Sequence, residues 1–232
     1  MRFLIGAVAL IALASGASAQ QKDKLPPEQK LVDKTIAPPP VEAQNVWDVE
    51  LSTGGGTVRI QLRPDKAPLA VERIKTLTRQ GFYNGLTFHR VIEGFMAQGG
   101  DPEGTGQGGS KLPNIKAEFN DLPHVRGAVA MARAEDKDSA NSQFYIMFMP
   151  RLQLDNHYTV IGRVIGGMGA VDQIARGEPP ETPTRITRAW IESDGPPPPV
   201  APAPAPTLKT DLPAAPTTLA TPRPKPAAKP KK

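Results

Sequence analysis

Between Asn45 and Asp194 the chain consists of short runs of alternating apolar and polar residues separated by glycine turns. Only two runs carry the three-and-four spacing of a helix, and this imbalance constrains the fold more than any other feature of the sequence. Trp47 to Leu51 and Thr57 to Leu62 alternate on either side of Gly54-Gly55-Gly56, as the arms of a hairpin do. Leu86 to Ile92, Phe95 to Gln98, Gly127 to Arg133, Gln143 to Phe148, Tyr158 to Val164 and Ile186 to Glu192 read as further strands. Ala67 to Gln80 is the first helix: Ala70, Val71, Ile74 and Leu77 share one face, Asp65 and Pro68 mark its start, and Gly81 stops it. Met168 to Ala175 is a shorter second helix, closed near Gly177. A βαβ layout would interleave helices with strands, which this order does not. Many short strands with two helices predict a mainly β fold, a closed antiparallel barrel with capped ends.

The flanks differ in kind. Residues 1–19 combine Arg2, an apolar run from Phe3 to Ala14 and the small-residue site Ala17-Ser18-Ala19, the make-up of a secretory signal peptide cleaved near Gln20. The run is about 12 residues, short of the roughly 20 that span a bilayer. No later stretch is apolar enough to do so, so no transmembrane segment is expected. Residues 20–44 are polar and interrupted by Pro26, Pro27 and Pro38 to Pro40, a linker. Residues 45–194 form one domain of about 150 residues, enough for a sizeable core. Residues 195–232 form a Pro/Ala/Lys-rich tail, read as an extended, disordered, basic arm. The chain has no cysteine, so neither a lipid anchor on cysteine nor a disulfide framework is available to it. Its net charge of +5 resides in the tail, where six cations face Asp211 alone. The domain is near neutral, which argues against a nucleic-acid surface. The tail is either a tether making weak electrostatic contact with anionic envelope surfaces or a solubilising extension.

Phe88 to Pro102, F-H-R-V-I-E-G-F-M-A-Q-G-G-D-P, sets Arg90 among apolar and amide side chains with no catalytic acid, base or thiol pattern. Such a set can hold an apolar ring beside a fixed donor fork, but it is poorly equipped to make or break covalent bonds. Conformational catalysis on a peptide suits it. A peptide bond resists rotation by about 18–20 kcal/mol because its nitrogen shares its lone pair with the carbonyl. A guanidinium aimed at an X-Pro nitrogen donates a hydrogen bond that strengthens only as the bond twists. Arginine stays charged, and its donors lie in a planar fork. Other chemistries lack their residues. Glu103 to Lys111 is glycine-rich without the G-K-[ST] ending of a phosphate loop, and is read as a mobile loop near the site. His89, His124 and His157 are scattered, so no metal site is expected. No G-x-S-x-G is present.

The same stretch resembles the signature of cyclophilin-type peptidyl-prolyl isomerases. G-A-V-A-M-A-R-A (Gly127 to Ala134), N-S-Q-F-Y-I (Asn141 to Ile146) and L-D-N-H-Y-T-V-I-G-R-V (Leu154 to Val164) match further blocks in the family's order, and Gly81 to Thr87 fits too. The resemblance implies an eight-stranded antiparallel β-barrel capped by two α-helices, with peptide bound on its outer face. It implies Arg90 as the catalytic residue and a proline pocket of Phe95, Met96, Gln98, Gln143, Tyr145 and Leu154. Ala132 and Arg133 would bind peptide backbone, partly as an added strand, and Tyr158 completes the substrate-binding set. Phe144 and Tyr145 alternate along a strand, so only one faces the site, and the family pattern selects Tyr145.

Departures from the pattern carry expectations of their own. Tyr145 replaces a frequent phenylalanine, and Tyr158 stands where histidine is common, with His157 on the opposite face. Gln153 stands where some members have a tryptophan tied to cyclosporin, so weak cyclosporin binding is expected. Arg133 replaces a commoner asparagine and would favour acidic residues near the target proline. The implied protein is an exported, periplasmic, cofactor-free peptidyl-prolyl isomerase acting on proline-containing polypeptides, expected as a monomer. The alternative is a proline-peptide binding module or holdase chaperone whose turnover is incidental.

Overall fold

The computed structural model describes residues 39–53 and 56–197. The expectations for the signal peptide, for the linker before residue 39, for Gly54 and Gly55 and for the tail beyond residue 197 lie outside the described residues. Eight strands form one sheet: β1 (Val46–Leu51), β2 (Thr57–Leu62), β3 (Phe88–Ile92), β4 (Met96–Gly99), β5 (Ala128–Met131), β6 (Phe144–Met147), β7 (Val160–Gly166) and β8 (Ile186–Ile191). Two α-helices accompany them, α1 (Pro68–Arg79) and α2 (Met168–Asp172). The strand order is β3-β4-β6-β5-β7-β2-β1-β8, and every neighbouring pair is antiparallel.

Closure is looser than the sequence suggests. The end strands meet through a single bridge, Thr87 with Arg185, supported by Phe88 N donating to Thr184 O (3.0 Å) and Ile186 N to Leu86 O (2.8 Å). The sheet is a curled half-barrel with a stitched seam, and "closed" overstates it.

Side-chain alternation divides the sheet into two apolar faces. The inner face packs Trp47, Val49, Val58, Ile60, Phe144 and Ile146 against Ala70, Val71, Ile74 and Leu77 of α1. Trp47, Tyr83, Phe88 and Phe144 fill its centre with tilted and edge-on contacts of 4.9 to 6.0 Å between ring centroids. A second, smaller cluster lies on the outer face: Met96, Ala128, Ala130, Tyr145, Met147 and Val160, with Phe95, Leu154 and Tyr158 packed on it.

Helix α1 begins at Pro68 as expected, but Asp65 does not cap it, because that carboxylate pairs with Arg63. Glu118 supplies the cap, accepting Leu69 N and Ala70 N at 2.9 Å each. Helix α2 ends at Asp172, short of the predicted Ala175, because Ala175 N turns away to the Thr184 hydroxyl (3.1 Å).

Candidate active site

Strand register assembles the site. Arg90 on β3 pairs with Gln98 on β4, Gln98 with Tyr145 on β6, and Tyr145 with Ala130 on β5, so these residues form one row across four strands. The next row sets Ile92, Met96 and Met147 side by side. A bulge makes the first row possible. Phe88 pairs with Gly99 and Arg90 with Gln98, which leaves His89 as an extra residue on β3. Strict alternation would put Phe88 and Arg90 on the same face. With the bulge, Phe88 is fully buried in the inner core while Arg90 emerges on the outer face, 43% exposed.

A cavity of about 140 Å³ opens there, lined by Arg90, Phe95, Met96, Gln98, Ala132, Arg133, Tyr145, Leu154 and Tyr158. Gln143 lies next door, in a larger cavity of about 450 Å³ that shares Gln98, Ala132 and Arg133 with the first. The two glutamines form the partition. Gln98 Nε2 donates to Gln143 Oε1 (2.8 Å), and Gln143 Nε2 donates to Gly106 O (3.0 Å) and Gly108 O (2.8 Å). Ala132 N donates to Gln143 O (2.9 Å), so that amide is already committed within the fold.

Tyr145 supplies the floor of the smaller cavity. Its hydroxyl lies 3.1 Å from His124 Nε2, and His124 Nδ1 lies 2.8 Å from Asp155 Oδ1, which also accepts His124 N (2.8 Å). The carboxylate accepts from Nδ1–H, so Nε2 is the acceptor and Tyr145 O–H donates to it. Burial holds His124 below its ordinary value of 6.5, outweighing the pull of Asp155, so the ring is neutral. Burial pushes Asp155 upward, but the backbone N–H and ring of His124 outweigh it and the carboxyl stays low. Burial also drives the Tyr145 phenol up, so the floor carries no charge.

Arg133 lines the same cavity and is held by the chain itself. Its guanidinium donates to Ala134 O (2.8 Å), Glu135 O (3.0 Å) and His157 O (3.1 Å) and stacks on Tyr158 at 4.7 Å. It clamps the wall of the cavity, with its donors turned to the chain's own carbonyls. His157 is exposed, and Tyr158 faces the cavity.

The glycine-rich segment after Asp101, read from the sequence as mobile, is wound around a carboxylate. Asp101 accepts N–H bonds from Glu103 (2.9 Å), Thr105 (2.9 Å), Gly106 (2.6 Å) and Gly108 (3.2 Å). Burial raises this acid, but those four donors together bring it below its ordinary value. Among the described residues no group of three or more His, Asp or Glu converges as a metal site would.

Sequence reading missed Asp101, the His124–Asp155 pair and Glu178, whose Oε2 accepts Arg90 Nε at 2.8 Å. Glu178 lies 88 residues from Arg90, and His124 and Asp155 are 31 apart, so neither pairing carries a local signal. Asp101, whose partners lie two to seven residues ahead of it, could have been found as an Asp leading a glycine-rich turn.

Residues 48–191 match the family described as "Cyclophilin type peptidyl-prolyl cis-trans isomerase/CLD". The chain is 40% identical over 210 residues to a probable peptidyl-prolyl cis-trans isomerase of Brucella suis, covering 84% of this chain and 97% of that one. The structure is similar to cyclophilin AquaCyp293 from Hirschia baltica, with a TM-score of 0.61 and 30% identity over 70% of this chain and 77% of that one. It is also similar to a Cryptosporidium parvum cyclophilin-type isomerase solved in the presence of the dipeptide Ala-Pro, with a TM-score of 0.58 and 27% identity over 63% and 98% of the two chains.

Proposed function

The chain belongs to the cyclophilin-type peptidyl-prolyl cis-trans isomerases, and from that premise we propose that Arg90 drives X-Pro rotation while the proline ring sits in the 140 Å³ cavity. The observation that carries this reading is the cross-strand row, which brings a guanidinium to the rim of a hollow with apolar walls at Phe95, Met96 and Leu154 and an uncharged floor at Tyr145. Phe95, Met96, Leu154 and the face of Tyr145 exclude water from the ring. A hydrogen bond from Arg90 to the imide nitrogen is weak while the amide is planar, because the lone pair is delocalised. It strengthens as the amide twists and the nitrogen becomes pyramidal, so the contact favours the transition state over either ground state. Gln143 spends both its N–H groups on Gly106 O and Gly108 O and orients Gln98, whose second N–H is left to hold a substrate carbonyl without adding charge. The Cryptosporidium neighbour, solved with Ala-Pro present, supports a proline-containing ligand for this chain.

Export rests on residues 1–19, and its reading as export to a bacterial envelope on the cysteine-free chain and the family resemblance; exported polypeptides would then be the clients. N-terminal sequencing of the protein recovered from an envelope fraction tests it: a mature start near Gln20 supports export, and an intact Met1 in the cytoplasmic fraction refutes it. For the mechanism, a protease-coupled assay on X-Pro peptides compares wild type with Arg90→Ala. Loss of about 10²–10³ in kcat/KM is the expected scale for removing one oriented donor. Arg90→Lys should recover little, because a point charge lacks the planar fork. An Arg90→Ala enzyme with wild-type turnover would sink the mechanism.

A further inference from the structure

The segment from Arg176 to Glu178 lies along the outer edge of β3 beside Arg90. Gly177 and Val91 exchange two backbone hydrogen bonds, Val91 N to Gly177 O (2.8 Å) and Gly177 N to Val91 O (2.9 Å). Arg176 fastens the same segment from the other side, donating from Nε to Glu93 Oε2 (2.7 Å) and stacking on Phe148 at 4.2 Å. Only glycine fits at residue 177: its φ is +142°, and an added Cβ would lie 2.6 Å from Pro180 Cα. The next side chain is therefore delivered to a fixed place, and that side chain is Glu178, with Oε2 2.8 Å from Arg90 Nε.

Stability does not account for this arrangement. Both side chains are about half exposed, at 43% and 50%, and such pairs contribute little to folding. Orientation does account for it. A guanidinium carries five N–H donors in one plane. Holding Nε fixes that plane and leaves the four Nη hydrogens for the groove. We propose that Glu178 is a positioning residue, which pre-orients the Arg90 guanidinium toward the imide nitrogen of the bound proline. The proposal rests on the catalytic reading of Arg90 and adds to it a residue outside the cavity lining.

The test measures kcat and KM on a short X-Pro peptide for Glu178→Ala and Glu178→Gln, each alone and combined with Arg90→Ala. Glu178→Ala should lower kcat about tenfold with KM little changed, since misplacing an oriented group costs turnover more than binding. Glu178→Gln keeps an acceptor oxygen and should restore most of the loss. In the Arg90→Ala background, Glu178→Ala should have no further effect, because its role passes through the missing guanidinium. All the variants should melt with wild type, the pair being exposed. The inference falls if Glu178→Ala leaves kcat unchanged or if the two losses multiply. It also falls if kcat rises, which would make the carboxylate a competitor of the substrate. An Arg90→Ala enzyme with full activity would overturn the catalytic reading itself, a result distinct from all of these.

Discussion

Tyr145 gives the site both a ring and a buried hydroxyl, and the two have separate duties. The ring face lines the cavity, and the hydroxyl donates to His124 at 3.1 Å. Tyr145→Phe should keep turnover close to wild type while leaving a buried acceptor on His124 without its donor, at a cost of about 1–3 kcal/mol. Calorimetry should then show a melting temperature lower by several degrees. The histidines add a pH dependence. Burial lowers both His89 and His124 from 6.5, so the unfolded chain binds their protons more tightly than the fold does. Their contribution is complete above that value and is lost as pH falls below it. Asp101 and Asp155 are depressed below 3.8, and their contribution disappears only as pH drops through the acid range beneath that. Urea midpoints should therefore hold steady above pH 6.5 and decline toward about pH 5. His124→Gln should flatten part of that decline, and a flat wild-type profile would show that burial does not keep these rings neutral.

Elements were more legible in the sequence than the contacts between them. Each of the eight strands and both helices follows from periodicity and glycine turns, because a strand's period of two and a helix's of 3.6 are local properties. Element ends shifted where distant groups intervened, as Glu118 does at the start of α1 and Thr184 does beyond α2. The site residues could be named from motif blocks, but their assembly depends on cross-strand register and on one bulge at His89, which no local pattern encodes. Glu178 was invisible for the same reason. Composition also leaves out what the glycine-rich loop is wound around. Read as mobile, it is organised by Asp101, whose carboxylate gathers four N–H groups. Asp101→Ala should release it, raising hydrogen exchange at Thr105, Gly106 and Gly108 and destabilising the fold by about 1.5–3 kcal/mol, the range for hydrogen bonds to a charged acceptor. Unchanged exchange at those amides would show that the carboxylate is not the anchor.

Across the whole molecule, charge and chemistry are separated along the chain. The cavity residues and Glu178 all fall between residues 90 and 178, whereas the +5 balance belongs to the tail, six cations against Asp211. A chain ending at Pro197 should keep its kcat/KM on short peptides within about twofold, because surface charge acts through long-range fields that salt screens. Any attraction to anionic vesicles should disappear with the tail, and retention by the truncated chain would assign that attraction to the domain. One architectural fact also decides what sort of client can be served. Trp47, Tyr83, Phe88 and Phe144 plug the middle of the molecule, so nothing is threaded through it and a polypeptide can only be laid across its skin. A proline deep within a long sequence should then be as reachable as one beside a free end.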